Sequence, residues 1–126
     1  MISFLVEGRP RSTQTGSVIR VRGRAFPLRR NTPWSALCGL VAREYAPPKP
    51  LTGPLRVTLT FYLTSPKKRR EHPTGRPDLE NLCKGLLDSW QGVLFLDDAQ
   101  VLELRLAKCY CGDAPPGVHV VVEEMT

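Results

Sequence analysis

The sequence predicts a single α+β domain, in which a mixed sheet of about four to six strands carries two packed helices. The chain of 126 residues is long enough for one hydrophobic core and too short for two ordinary domains, so residues 1–126 form one unit. One segment alternates apolar and polar residues, which is typical of a half-buried strand. Two other segments repeat apolar residues at helical spacing.

The amino-terminal segments predict a strand and a basic ribbon. Ile2 to Val6 is apolar, and the strand ends where Gly8 and Pro10 interrupt a regular ladder. Further on, arginines alternate with apolar or small residues. An extended conformation would place three of them on one face of a ribbon or hairpin, namely Arg20, Arg22 and Arg24. Such a ribbon could bind along a phosphate backbone. An equally good interpretation is an exposed edge strand whose charges prevent aggregation.

The next segments predict the first helix and the central strand. Asn31 or Thr32 is an N-cap candidate, and Pro33 is favoured at the first helical position. One core-facing stripe follows at helical spacing, made of Trp34, Leu37, Cys38, Val41 and Tyr45. The run Ala46-Pro47-Pro48 ends this helix. Leu55 to Leu63 alternates apolar and polar side chains and is the clearest strand of the chain.

The second half predicts a basic loop, a second helix and two strands. Ser65 to Pro77 is basic and rich in proline, which predicts a mobile surface loop. Asp78 is an N-cap candidate for an amphipathic helix that ends near Gly92. Its apolar positions are Leu79, Leu82, Cys83, Leu86, Leu87 and Trp90. The strands run roughly from Val101 to Cys109 and from Val118 to Glu123.

The charge balance favours a polyanionic partner, and nucleic acid is the leading one. The chain has 18 Lys and Arg against 12 Asp and Glu, which gives a formal charge of +6. Each cationic side chain that neutralises a phosphate releases a condensed counterion. The basic residues also cluster in two regions. The DNA-binding candidates are Arg9, Arg11, Arg20, Arg22, Lys67, Lys68, Arg69, Arg70 and Arg76.

The four cysteines lack the spacing of a zinc site, and Cys109 and Cys111 are interpreted as small hydrophobes at a strand end. The amino terminus does not have the pattern of a signal peptide. No stretch approaches the roughly 20 apolar residues that a membrane helix needs. We therefore expect a cytoplasmic protein with reduced thiols, without a membrane partner or an organic cofactor.

Two acidic pairs are candidates for a metal site. Asp78 and Glu80 flank the start of the second helix, and Asp97 and Asp98 lie just before the strand that begins near Val101. Carboxylate-held Mg²⁺ can offset charge on a phosphodiester and generate hydroxide at neutral pH. If that helix packs on that strand, we expect the two acidic pairs to meet at one end of the two elements.

One lysine accompanies these carboxylates. Glu80, Lys84 and Asp88 are spaced by four residues and share one face of the helix. Lys84 can there hold a scissile phosphate, although the same spacing suits an ordinary surface ladder of charges. Asp78 equally suits a simple N-cap, and acidic pairs are common in turns. The basic loop directly before Asp78 favours the nuclease interpretation, because cleavage needs a cationic grip beside a metal-binding cluster.

The segment from Arg76 to Val101, RPDLENLCKGLLDSWQGVLFLDDAQV, resembles the signature of the RusA-like Holliday junction resolvases. In that signature a D-x-D-N-x-x-K helix is followed by D-D-x-Q. Further matches lie at Gly8-Arg9-Pro10, Trp34, Pro54, His72-Pro73 and Lys108. The resemblance implies that Asp78, Glu80 and Asp98 bind metal, that Asp97 supports them, and that Lys84 is the catalytic lysine. It also implies orienting or structural roles for Asn81, Asp88 and Gln100.

The resemblance further implies a Mg²⁺-dependent endodeoxyribonuclease, with Mn²⁺ as a substitute ion. Its substrate would be the four-way DNA junction, which an intertwined homodimer would resolve by paired nicks. Glu80 stands where the family pattern usually has Asp, and the extra methylene lengthens its reach. Two alternatives stay open. One is a branched-DNA-binding protein that has lost catalysis, and the other is a single-strand or RNA-binding module, which the scarcity of aromatic residues disfavours.

Overall fold

The computed structural model contains a four-stranded sheet, a separate two-stranded hairpin and two α-helices, and it describes residues 1–12, 17–28, 33–66 and 71–126. The elements in chain order are β1 (Ile2–Glu7), β2 (Ser17–Val21), β3 (Arg24–Leu28), α1 (Pro33–Tyr45), β4 (Leu55–Leu63), α2 (Leu79–Trp90), a 3₁₀ turn (Asp98–Gln100), β5 (Val101–Tyr110) and β6 (Gly117–Glu124). The predicted α+β fold is confirmed. Neither α-helix of the described part has the length and apolar character that a bilayer span requires.

The four-stranded sheet has the order β1-β6-β4-β5. β6 runs antiparallel to both β1 and β4, whereas β4 and β5 run parallel. The sheet is therefore mixed, as the sequence predicted. A parallel pair needs a crossover, and α2 supplies it, so α2 runs back along the sheet between the end of β4 and the start of β5.

One face of this sheet forms the core with both helices. In β4, every second side chain is buried, from Leu55 to Leu63, as its period-2 pattern predicted. Phe4 of β1 stacks on Tyr45 of α1 at a centroid distance of 5.2 Å and meets the edge of the Trp90 ring of α2 at 6.1 Å. The Trp90 indole also donates a hydrogen bond to the Cys38 carbonyl of α1 at 3.3 Å. Both helices therefore pack on the same face.

The two predicted helical stripes differ in accuracy. In α2 five residues are buried, and all of them except Gly85 belong to the predicted stripe, namely Leu82, Cys83, Leu86 and Trp90. In α1 the buried positions are Trp34, Ser35, Cys38 and Ala42. The predicted Leu37 and Tyr45 are instead 38% and 50% exposed, because α1 packs by a narrow line of residues four apart. That line includes a small alanine, which the hydrophobic pattern did not single out.

The predicted arginine ribbon is a hairpin. β2 and β3 pair antiparallel, and the chain reverses at Arg22 and Gly23, which both have positive φ, 51° and 77°. A tight reversal of this kind needs positive φ, and glycine adopts it without steric cost. Arg20 pairs with Ala25 and Arg24 pairs with Val21, so these two positions alternate across the hairpin. The prediction that the three arginines share one face of a ribbon is therefore wrong.

All four cysteines are free. Burial raises the pKa of Cys38 to about 12 and that of Cys83 to about 11, so both thiols stay protonated at neutral pH. A thiol of that kind is a poor nucleophile, because the thiolate is the reactive form. These two residues therefore act as small apolar side chains between the helices and the sheet.

Candidate active site

The start of α2 presents two exposed carboxylates. Asp78 occupies the N-cap position, and its backbone carbonyl accepts a hydrogen bond from the Leu82 amide at 3.0 Å. Its side chain makes no capping hydrogen bond, although capping is the usual role of an aspartate there. Glu80 lies in the first turn and is exposed. The Asp78 carboxylate is thus not used to cap the helix on which it stands.

The second acidic pair lies in a braced turn. Asp97 caps the 3₁₀ turn by accepting from the Ala99 amide at 2.9 Å, and the Gln100 side chain accepts from the Asp97 amide at 2.9 Å. The Gln100 amide group also donates to the carbonyls of Leu51 and Gly53, at 2.8 and 2.9 Å. These bonds tie the turn to the segment before β4, which gives Gln100 the structural role that the family resemblance implied.

The two carboxyl groups of this turn interact with each other. The Ala99 amide, followed by the hydrogen bond with Asp98, lowers the pKa of Asp97. That same hydrogen bond, then desolvation and the negative charges of Asp97 and Asp88, raises the pKa of Asp98. Asp98 therefore carries the proton when the pair shares one. A divalent cation beside Asp98 would relieve this repulsion between like charges.

The two acidic pairs do not meet within one chain. α2 has 12 residues, so its ends are separated by about 18 Å at the usual rise per residue. Asp78 precedes its first residue, near the end where Leu63 pairs with Tyr110, whereas Asp98 lies at the opposite end, where Leu55 pairs with Val101. The expectation that both pairs meet at one end of the helix and the strand is therefore wrong, because a parallel crossover helix runs the full length of the strands.

The described residues of one chain therefore do not form a complete metal site. In the described residues, no group of three or more His, Cys, Asp or Glu side chains is close enough to hold a metal ion. Lys84 lies midway along the exposed face of α2, between Glu80 and Asp88. The assignments of Asp78, Glu80, Lys84, Asp97 and Asp98 as site residues stay predictions.

A cationic cleft of about 780 Å³ adjoins the start of α2. Its arginines come from two distant segments, Arg9 and Arg11 after β1 and Arg76 before α2. Pro77 also lines the cleft, and Asp78 is the next residue in the chain. Gly8 has a φ of 151°, and a Cβ atom there would lie 2.9 Å from Cζ3 of Trp34. Only glycine lets the chain pass this close to the Trp34 ring, and the residues after Gly8 then reach the cleft with Arg9 and Arg11.

The other DNA-binding candidates are distributed differently. Arg20 lies in β2, and Arg22 is exposed in the hairpin turn. The basic run of Lys67, Lys68, Arg69 and Arg70 falls outside the described residues. The structure therefore brings together Arg9, Arg11 and Arg76, which belong to two separate basic regions of the sequence.

Lys108 of β5 has a role that sequence reasoning did not assign. Its ammonium group donates to the carbonyls of Gly75 and Pro77, at 2.8 and 3.0 Å. Both carbonyls belong to the segment that carries Arg76 and leads into Asp78. Lys108 thus fixes the wall of the cleft and the entry to α2. The available signal was a lysine two residues from both Leu106 and Tyr110, where the alternation of a strand predicts an apolar side chain, since a charged group at such a position needs polar partners.

We expect Lys108→Met to loosen this segment while leaving the sheet intact. Losing two charge-assisted hydrogen bonds should lower the free energy of unfolding by about 1 to 3 kcal/mol. Amide hydrogen exchange should quicken across residues 71–78 and stay unchanged in β6. Arg105→Met is the matched control, because Arg105 lies on the same strand and pairs only with Glu103 in the described residues. Equal exchange profiles for the two variants would contradict the assigned role.

Comparisons with known proteins identify the family of this chain. The family model described as endodeoxyribonuclease RusA matches residues 7–123. A protein of Bacillus subtilis strain 168, described as uncharacterized protein YqaN, is 27% identical over 135 residues, which cover 97% of this chain and 91% of that protein. The family match runs from the last residue of β1 into β6, and it includes both acidic pairs, Lys84 and the arginines of the cleft. The chain therefore belongs to the RusA endodeoxyribonuclease family.

Proposed function

We propose that this protein is a cytoplasmic, Mg²⁺-dependent endonuclease that resolves four-way DNA junctions by paired nicks. One observation carries the proposal. The uncapped carboxylate of Asp78 directly follows the arginine cleft, so a phosphate-binding surface adjoins a potential metal ligand. Cationic side chains bind phosphate, and exposed carboxylates suit a hard divalent cation such as Mg²⁺ or Mn²⁺.

A second copy of the chain would complete the metal site. A two-fold axis near the middle of α2 and β5 reverses the direction of these elements in the partner. Asp78 and Glu80 of one copy would then lie beside the partner subunit's Asp97 and Asp98, and the same operation would create a second identical site. A homodimer would thus have two complete sites, each with one acidic pair from either copy. A four-way junction presents two strands to cut, one for each site.

The surface along β5 supports a partner at this position. β5 is the last strand of the four-stranded sheet, so one of its edges is unpaired in that sheet. Leu102 and Leu104 on this strand are 68% and 42% exposed, and Leu96 just before the turn is 57% exposed. Exposed leucines near an unpaired strand edge favour association with another chain.

The proposed roles follow from the chemistry of each group. Mg²⁺, when bound by the carboxylates, offsets phosphate charge and lowers the pKa of water. Lys84 lies one helical turn after Glu80 on the same exposed face, where its ammonium group can hold the scissile phosphate. Arg9, Arg11 and Arg76 bind phosphates of the same strand and set its register.

The direct test is cleavage of a four-way junction compared with a linear duplex of the same sequence. We expect paired nicks in the junction with added Mg²⁺, little cleavage of the duplex, and none in EDTA. Binding without cleavage at every divalent ion tested would favour the alternative of a non-catalytic branched-DNA-binding protein. Equal cleavage of both substrates would contradict junction selectivity while leaving the nuclease activity.

A further inference from the structure

The arginine cleft has the size of a small-ligand site. Its volume is about 780 Å³, within the roughly 300–1,000 Å³ usual for small organic ligands. A nucleotide is a ligand of that size, so the cleft has room for an unpaired segment of strand.

The lining of the cleft has a cationic part, which can bind the phosphate of a nucleotide, and an apolar part, which can contact its base. Arg9, Arg11 and Arg76 supply positive charge, and the described lining residues include no Asp or Glu. Tyr110 and five prolines supply apolar surface. Tyr110 is partly buried against the core, so its ring is held by packing. Aromatic rings in a cationic groove stack bases without regard to sequence.

We propose that this cleft binds an unpaired nucleotide of the substrate strand, with its base on Tyr110 and its phosphates on the arginines. The inference rests on the proposed function for the identity of the substrate, and it adds a reason for structure selectivity. A base that is already unpaired enters such a pocket at lower cost than a base that must leave a duplex. Pro77 joins the cleft to Asp78, so a nucleotide held there places the adjoining phosphodiester beside the acidic start of α2.

The test measures binding of single strands in EDTA, so that cleavage plays no part. The probes are a short fluorescein-labelled oligothymidylate and an abasic strand of equal length, which has the same phosphates. Wild-type protein should bind the strand with bases roughly 5- to 100-fold more tightly, the usual effect of base stacking. Tyr110→Leu should bring this ratio close to one and leave the affinity for the abasic strand unchanged.

Tyr62→Leu is the matched control. Tyr62 alternates with the buried Phe61 and Leu63, and Tyr110 pairs with Leu63, so the two tyrosines lie on opposite faces of the sheet. The control should keep the full ratio. Equal binding of the two strands by wild-type protein overturns the inference, and that comparison needs no variant. Equal losses in both tyrosine variants overturn it too. Junction cleavage is scored separately, so a protein that cuts without base-dependent binding retains the proposed function and loses this site.

Discussion

Asp98→Asn is expected to abolish junction cleavage while leaving junction binding unchanged. Asparagine has nearly the same size as aspartate, but it supplies no negative charge for a divalent cation. A metal ion contributes several kcal/mol of charge stabilisation to such reactions, and each 1.36 kcal/mol corresponds to a factor of ten. We therefore expect cleavage to fall by at least about 100-fold. The measurement is single-turnover nicking of a labelled junction, with binding followed by gel shift in EDTA.

The control for this substitution is Glu44→Gln, which removes an exposed charge from α1. It should cut like the wild type, since α1 contributes no candidate ligand. The pKa of Asp98 is raised by its hydrogen bond with Asp97, by desolvation and by the negative charges of Asp97 and Asp88, and loss of the Asp98 charge removes this repulsion. The variant should therefore fold at least as well as the wild type, so lost cleavage would not reflect lost structure. Normal cleavage by Asp98→Asn would contradict the site assignment.

The sequence patterns within single segments predicted the strands and helices whose positions depend on those segments alone. β4 alternates strictly because one face of a sheet is buried, and α2 repeats its apolar residues because one face of a helix is buried. The ends of α1 follow from prolines on either side, Pro33 at its start and Pro47 after its end. The D-D-x-Q resemblance implied an orienting or structural role for Gln100, and its side chain donates to the carbonyls of Leu51 and Gly53.

Relations between distant segments were not predictable in this way. The acidic pairs occupy opposite ends of α2 because the crossover between parallel strands runs their full length, and no pattern within a segment encodes that direction. Arg9 and Arg76 form one cleft only because the segment after β1 lies beside the loop before α2. Lys108 reaches that loop through two backbone carbonyls, which have no sequence signature. Tertiary structure alone creates these contacts.

Mixing two inactive variants is expected to restore cleavage if each site takes residues from two copies. Asp78→Asn and Asp98→Asn should each be inactive as homodimers. In a mixed dimer, one site combines the intact Asp78 of one copy with the intact Asp98 of its partner, and the other site has both substitutions. Random pairing then leaves about a quarter of all sites intact. A site built within one chain would leave none.

The number of cuts gives a second readout of this experiment. A mixed dimer has one working site, so it should nick a supercoiled cruciform plasmid to the open circle, whereas the wild type should cut both strands and linearise it. Co-expression with two different affinity tags isolates the mixed dimer. The control pairs Asp78→Asn with Glu80→Gln, because both residues belong to the same end of α2 and every site then keeps one substitution. Mixed dimers of Asp78→Asn and Asp98→Asn that cut no better than this control would refute the shared site.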